Sequence, residues 1–264
     1  MASIETTSVA GLLESVANGS VEIVDLTQPL SESTPVIKLP PPFVNTPGLS
    51  REEISRYDDR GPAWAWYTLT IGEHVGTHLD APIHWVTGKD GADVGSIPAR
   101  QLVGPACVVD KTYATDKDNG YLLTVADLEA WEGENGRVPD GAWVLFRTGW
   151  GSRAQDEAAF LNVGDNGPET PGPDVEASRW LASERNISGF GVETVGIDAG
   201  AAGGFDPPFP LHNFLLGAGR LGLTQLANLE QLPLTGALIV VSPLRLVGGT
   251  GSPSRVFAFV PRVG

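Results

Sequence analysis

Cysteine is almost absent: Cys107 is the single thiol in 264 residues, so no internal disulfide can form and nothing points to an oxidising compartment. Basic residues are scarce as well. The 17 Lys and Arg stand against 32 Asp and Glu, and a formal net charge of -15 argues against nucleic acid or an anionic membrane as partner. No apolar run reaches the roughly 20 residues that span a bilayer, and the start of the chain has no basic stretch ahead of an apolar one. The expectation is a soluble, cytoplasmic protein. Nucleophile elbows of the Gly-x-Ser-x-Gly kind are missing, and Cys107 lies in an apolar strand with no base beside it, so a covalent acyl-enzyme has no candidate. Gly248–Gly251 and Gly200–Gly204 lack the lysine and the strand–helix context of phosphate-binding loops and read as turns. No repeat period and no clean linker divide the chain, so one domain is expected.

What is present is a globular composition, 41% hydrophobic and 19% charged, with 7 Trp and 9 Phe for a large core. Val9, Leu12, Leu13 and Val16 recur at helical spacing between a possible cap at Ser8 and a stop at Gly19, giving a leading helix within residues 1–19. Val21–Asp25 alternates like a strand, whereas six prolines within residues 28–48 exclude regular structure there. Strands are read at 66–71, 102–109, 143–146, 189–192, 237–241 and 255–260. Helices are read from Thr124, with Asp127 in the capping-box position, and from Asp174 to about Arg185. Strands outnumber helices without regular alternation, which points to mixed α and β around one extended sheet system.

The four histidines carry the functional signal, because three of them fall in His74-Val-Gly-Thr-His78-Leu-Asp80-Ala-Pro82-Ile-His84. On one straight strand His74 and His78 would stand about 13 Å apart, too far for a shared ion. A continuous helix is opposed by Gly76, Thr77 and Pro82. The remaining geometry is a strand ending near His74, a turn at Gly76, and an irregular segment folding His78 and Asp80 back beside it. Two imidazoles and a carboxylate then form a three-ligand metal site with open positions, the arrangement of catalytic rather than structural centres.

This stretch resembles the metal-dependent cyclase/amidohydrolase family of bacterial kynurenine formamidases and isatin hydrolases, whose signature His-x-Gly-Thr-His-x-Asp-x-Pro-x-His is matched at every fixed position. Val24–Thr27, Leu145–Trp150 and Gly196–Asp198 ahead of His212 extend the likeness over about residues 20–262. The resemblance implies a single-domain α/β fold of swivelling β/β/α architecture with a mixed sheet system over residues 20–264. It implies one divalent ion, manganese or zinc, on His74, His78 and Asp80, with His84 as catalytic base or proton shuttle and His212 as the matching downstream histidine. It also implies a homodimer or higher homo-oligomer whose aromatic arms complete a neighbouring pocket, and the proline-rich segment 28–48 is expected to lie against a partner subunit. Dinuclear zinc members carry a glutamate twelve residues after the downstream histidine, where this chain has Thr224 beside Gln225, so a mononuclear site is expected. Glu193 is either a displaced acidic group of the site or a hydrogen-bond acceptor at a strand end.

A divalent ion brings the pKa of bound water toward about 7 and polarises a carbonyl, which suits amide hydrolysis. His84 can take a proton from that water and return it to a leaving nitrogen, while His212 is placed to bind the substrate oxygen or relay protons. Trp64, Trp66 and Trp85 bracket the ligand stretch and suggest a flat, apolar substrate pocket. The expected reaction opens an isatin-like or lactam-like ring. Hydrolysis of an N-formyl aryl amine, polyketide-type cyclisation or dehydration, and a binder without turnover are the alternatives.

Overall fold

The structure is a computed structural model and describes residues 9–165 and 167–262. Ten strands organise it: β1 (Val21–Asp25), β2 (Ser50–Arg56), β3 (Ala65–Thr70), β4 (His78–Asp80), β5 (Val103–Asp110), β6 (Trp143–Arg147), β7 (Gly189–Val192), β8 (Leu221–Thr224), β9 (Ala237–Pro243) and β10 (Gly251–Pro261). Seven of them close into a ring in the order β10-β9-β5-β6-β7-β8-β4, because β4 pairs with both β8 and β10, while β1 is added outside the closure on β10. β5, β6, β7 and β8 run parallel and the other joints are antiparallel, so the sheet is mixed. Closure leaves few free edges.

Strand alternation divides the core in two. Val108, Leu145, Leu223, Ile239 and Val256 fill the ring's interior, while Val109, Val144, Phe146 and Phe190 face outward under two helices. These are α2 (Val125–Asn135) and α3 (Val175–Ser183), after the leading helix α1 (Val9–Ala17). The Thr124 hydroxyl accepts from Asp127 N at 3.3 Å and Asp127 accepts from Thr124 N at 2.9 Å, which completes the expected capping box; Asp174 caps α3 through Ala177 N. The Val24–Thr27 stretch fastens β1 to β10, with the Thr27 hydroxyl accepting from Val256 N and Asp25 paired to Arg255.

Three readings change. No strand leads up to His74: β3 stops at Thr70, and His78–Asp80 is itself a strand rather than an irregular segment. Its three residues gain order from being hydrogen-bonded on both sides, by β8 and β10, which local pattern does not reveal. The strand 50–56, polar on its exposed face, pairs with β3 in a hairpin and was not visible as alternation. The stripe on α1 is not core, since Val9 and Leu13 are exposed, and its Ser8 cap lies outside the described residues.

Candidate metal centre

Each fixed position of the 74–84 stretch has a physical task. Gly76 takes φ +64°, the left-handed turn that returns the chain from His74 to His78. The buried Thr77 hydroxyl donates to the Gln225 carbonyl at 2.6 Å and accepts from Gln28 N at 2.9 Å, tying the turn to the end of β8 and to the proline-rich arm. Leu79 points into the ring, so its neighbours His78 and Asp80 share the opposite face. Pro82 opens a single 3-10 turn that carries His84.

The ligand atoms of His74, His78 and Asp80 lie within 4.8 Å of one another, and this is the one such group among the described residues. Thr250 Oγ1 donates to Glu73 Oε2 at 2.5 Å, so toward His74 Nε2, 3.0 Å away, it acts as acceptor. His74 Nε2 therefore carries its proton and Nδ1 turns a lone pair toward Asp80 Oδ1 at 2.8 Å. His78 Nδ1 lies 2.7 Å from the Gly76 carbonyl, which needs a donor, and this leaves Nε2 facing Asp80 Oδ1 at 3.4 Å. Two lone pairs and a carboxylate converge, and only positive charge between them relieves the repulsion. A divalent ion fits that demand, with each imidazole oriented through its other nitrogen.

Neighbouring strands make room for the cluster. Gly222 and Gly251 flank Asp80 in the register of β8 and β10; a Cβ on Gly222 would lie 3.0 Å from Asp80 Oδ2, and one on Gly251 would lie 2.4 Å from His74 Cε1. Burial opposes charge on Asp80, yet the adjoining His74 and His78 rings hold its carboxyl well below the usual carboxylate range.

Beside the cluster, the His84 ring lies 4.0 Å from that of His74 and 5.6 Å from that of His212. Burial pushes the His84 pKa down to about 4, with Asp80 pulling the other way. His212 begins a turn of π-helix (His212–Leu216), and its Nδ1 meets Asp198 Oδ2 at 2.5 Å. Burial disfavours the charged form of His212, but the Asp198 hydrogen bond and charge raise its pKa above the ordinary value. Trp85 packs 4.7 Å from the His212 ring and 5.7 Å from Phe209, giving the site one aromatic wall. Trp64 and Trp66 are not part of that wall: half-exposed at the loop end of the β2–β3 hairpin, they pack edge to face on each other. Phe214 lies under Arg179.

Residues 24–199 match the family model described as "Putative cyclase". The chain belongs to the cyclase family. Isatin hydrolase of Roseibium aggregatum is 45% identical over 258 residues, 97% of this chain and 98% of that protein. The crystal structure of an isatin hydrolase bound to the product analogue thioisatinate gives a TM-score of 0.95 at 44% identity, covering 98% of this chain and 99% of that one. Kynurenine formamidase of Salinibacter ruber is more distant, 29% identical over 194 residues, 71% of this chain and 76% of that protein.

Two departures from the cyclase-family pattern find their explanation in the geometry. Thr224 is fully buried with its hydroxyl 2.9 Å from His78 Nδ1, so the position that could bring a second-ion glutamate packs on the first ligand set. Glu193 accepts from Thr148 N, the Thr148 hydroxyl and Gly149 N at 2.5, 2.9 and 2.7 Å; it is the strand-end acceptor, holding the Leu145–Trp150 stretch in place. Gln225 was passed over as a mere neighbour of Thr224. Its backbone sits at φ +54°, its side chain is buried, and its Oε1 has no hydrogen-bond partner among the described residues. A non-glycine residue held in the left-handed region with an orphaned oxygen is a mark of function. Nothing in the sequence beyond adjacency could have pointed to it.

Proposed function

We propose that the protein is a metal-dependent amidohydrolase that opens the C–N bond of a cyclic amide, with isatin as substrate. It acts on carbon–nitrogen bonds other than peptide bonds. The observation that carries the reading is the convergence of two imidazole lone pairs and the Asp80 carboxylate, in a chain that matches isatin hydrolases along nearly its whole length. When bound, the divalent ion lowers the pKa of water and polarises the amide carbonyl. His74, His78 and Asp80 would hold it. Two nitrogens with one carboxylate accept either manganese or zinc.

His84, kept neutral by burial, accepts the proton from water and returns it to the leaving nitrogen. His212 presents Nε2 to a substrate oxygen, since Nδ1 is taken by Asp198. Trp85 and Phe209 hold the flat bicyclic ring. Trp64 and Trp66, exposed like the apolar Phe43 and Val44 of the arm, serve the pocket of a second copy in a homodimer or higher homo-oligomer. Residues 20–264 form the one catalytic domain, working in the cytoplasm, where the buried Cys107, with its thiol pushed up to about 11, stays inert.

The test is a substrate panel followed by ultraviolet absorbance: isatin, simple lactams and N-formylkynurenine. Isatin is expected to be opened with the highest kcat/KM and only with metal present. Faster turnover of N-formylkynurenine, or metal-independent opening of isatin, would overturn the reading.

A further inference from the structure

Asp198 makes three hydrogen bonds at the edge of the site, and all three go to one short segment. Its Oδ1 accepts from Leu211 N at 2.7 Å, while Oδ2 accepts from His212 N at 3.1 Å and meets His212 Nδ1 at 2.5 Å. The carboxylate is 7% exposed and thus fixed by the backbone before any ligand arrives. One oxygen gripping both the peptide N–H and the ring of the same histidine leaves that ring little freedom to rotate. Nε2 lies at the opposite edge of the imidazole, on a ring flanked by Trp85 and His84. An anion placed so is more than a helix cap, because two backbone donors alone would not require it to reach the ring.

We infer that Asp198 is a positioning residue that holds His212 as a doubly protonated N–H donor aimed at the substrate oxygen that gains negative charge as the amide is attacked. The inference rests on the hydrolase reading above and adds the origin of that donor. A fixed cationic donor contributes most where charge develops, and loss of one such donor typically lowers kcat by about a hundred- to a thousand-fold. The groups that face His212 agree with the assignment. Asp198 is adjacent and Asp80 lies farther off with the same sign, and these two carboxylates raise the His212 pKa against its burial, while His84 and Trp85 flank the ring.

The experiment compares Asp198→Asn, His212→Ala and the double variant in the metal-loaded protein. Asp198→Asn is expected to keep its metal, to lose about a hundred- to a thousand-fold in kcat with KM changed much less, and to move the alkaline limb of the pH–rate profile to lower pH. The sign follows from the carboxylate favouring the charged ring, so that its removal lets the proton leave earlier. In the double variant the losses should not add, because Asp198 acts through His212. Additive losses, or an unmoved alkaline limb, would mean that Asp198 serves only the backbone, and the inference fails while the hydrolase reading stands. Full activity of His212→Ala would remove His212 from the reaction and overturn the inference, whereas metal-independent opening of isatin would overturn the hydrolase reading. Should Asp198→Asn not fold, ring-nitrogen NMR of the intact zinc-loaded protein decides: His212 protonated at both nitrogens near neutral pH supports the inference, and a bare Nδ1 overturns it.

Discussion

At Gly251 a Cβ would stand 2.4 Å from His74 Cε1 and 2.8 Å from the Leu79 carbonyl, so even one methyl group must push the ligand ring aside. Gly251→Ala is therefore expected to weaken metal affinity by about 10- to 100-fold, the range seen when a ligand loses its orientation; competition against a fluorescent chelator reads it. His84 separates binding from turnover in the opposite way. Three side chains already supply the proposed ligand set, so His84→Ala should keep its metal while kcat falls by about a hundred- to ten-thousand-fold. Because burial holds His84 neutral down to about pH 4, a base in that role works across the neutral range. Its contribution is lost only as pH falls toward that value, placing the acid limb of kcat/KM near 4 rather than near the 6.5 of a free imidazole. An acid limb near 6.5 in the wild type would contradict this.

Among the elements, β4 is the hinge between what sequence discloses and what it hides. The spacing of His74, His78 and Asp80 was legible as a metal site, since three donors with a glycine turn between them have few other uses. The strand that carries two of them was not, because three residues are too short for a pattern and its order comes from β8 and β10, far off in the chain. Gln225 was hidden for the same reason: its orphaned oxygen exists only once Thr77 bonds its carbonyl and the arm approaches from the other side. Elements that carry their own local signals were read well, α2 above all. Its capping box is worth about 1 kcal/mol, so Thr124→Ala should lower the midpoint of thermal unfolding by about 2–4 °C without altering metal content. Calorimetry of the metal-loaded protein checks it.

The whole molecule shows apolar surface that a lone chain has no use for. Phe43, Val44, Trp66 and Leu69 are all at least half exposed on the arm and the adjoining hairpin, and Val9 and Leu13 lie open on α1. Homo-oligomers cover surfaces of this kind, so light scattering at micromolar concentration should give at least the mass of two chains. A mass of 27.8 kDa would contradict it. The closed ring, by contrast, owes little to assembly: its interior and outer cores are complete within one chain, and the ligand set hangs from strands on both sides of β4. The fold thus holds a cluster of donors at β4 with Trp85 at its side.

The proposed reaction is hydrolysis of isatin by this cluster loaded with one divalent ion. The most direct measurement strips the protein with a chelator and titrates manganese back while following isatin absorbance and bound metal together. Turnover is expected to vanish on stripping and to rise in proportion to metal, with full activity reached at one ion per chain. Activity that survives stripping, or that appears only after a second ion has bound, would contradict it.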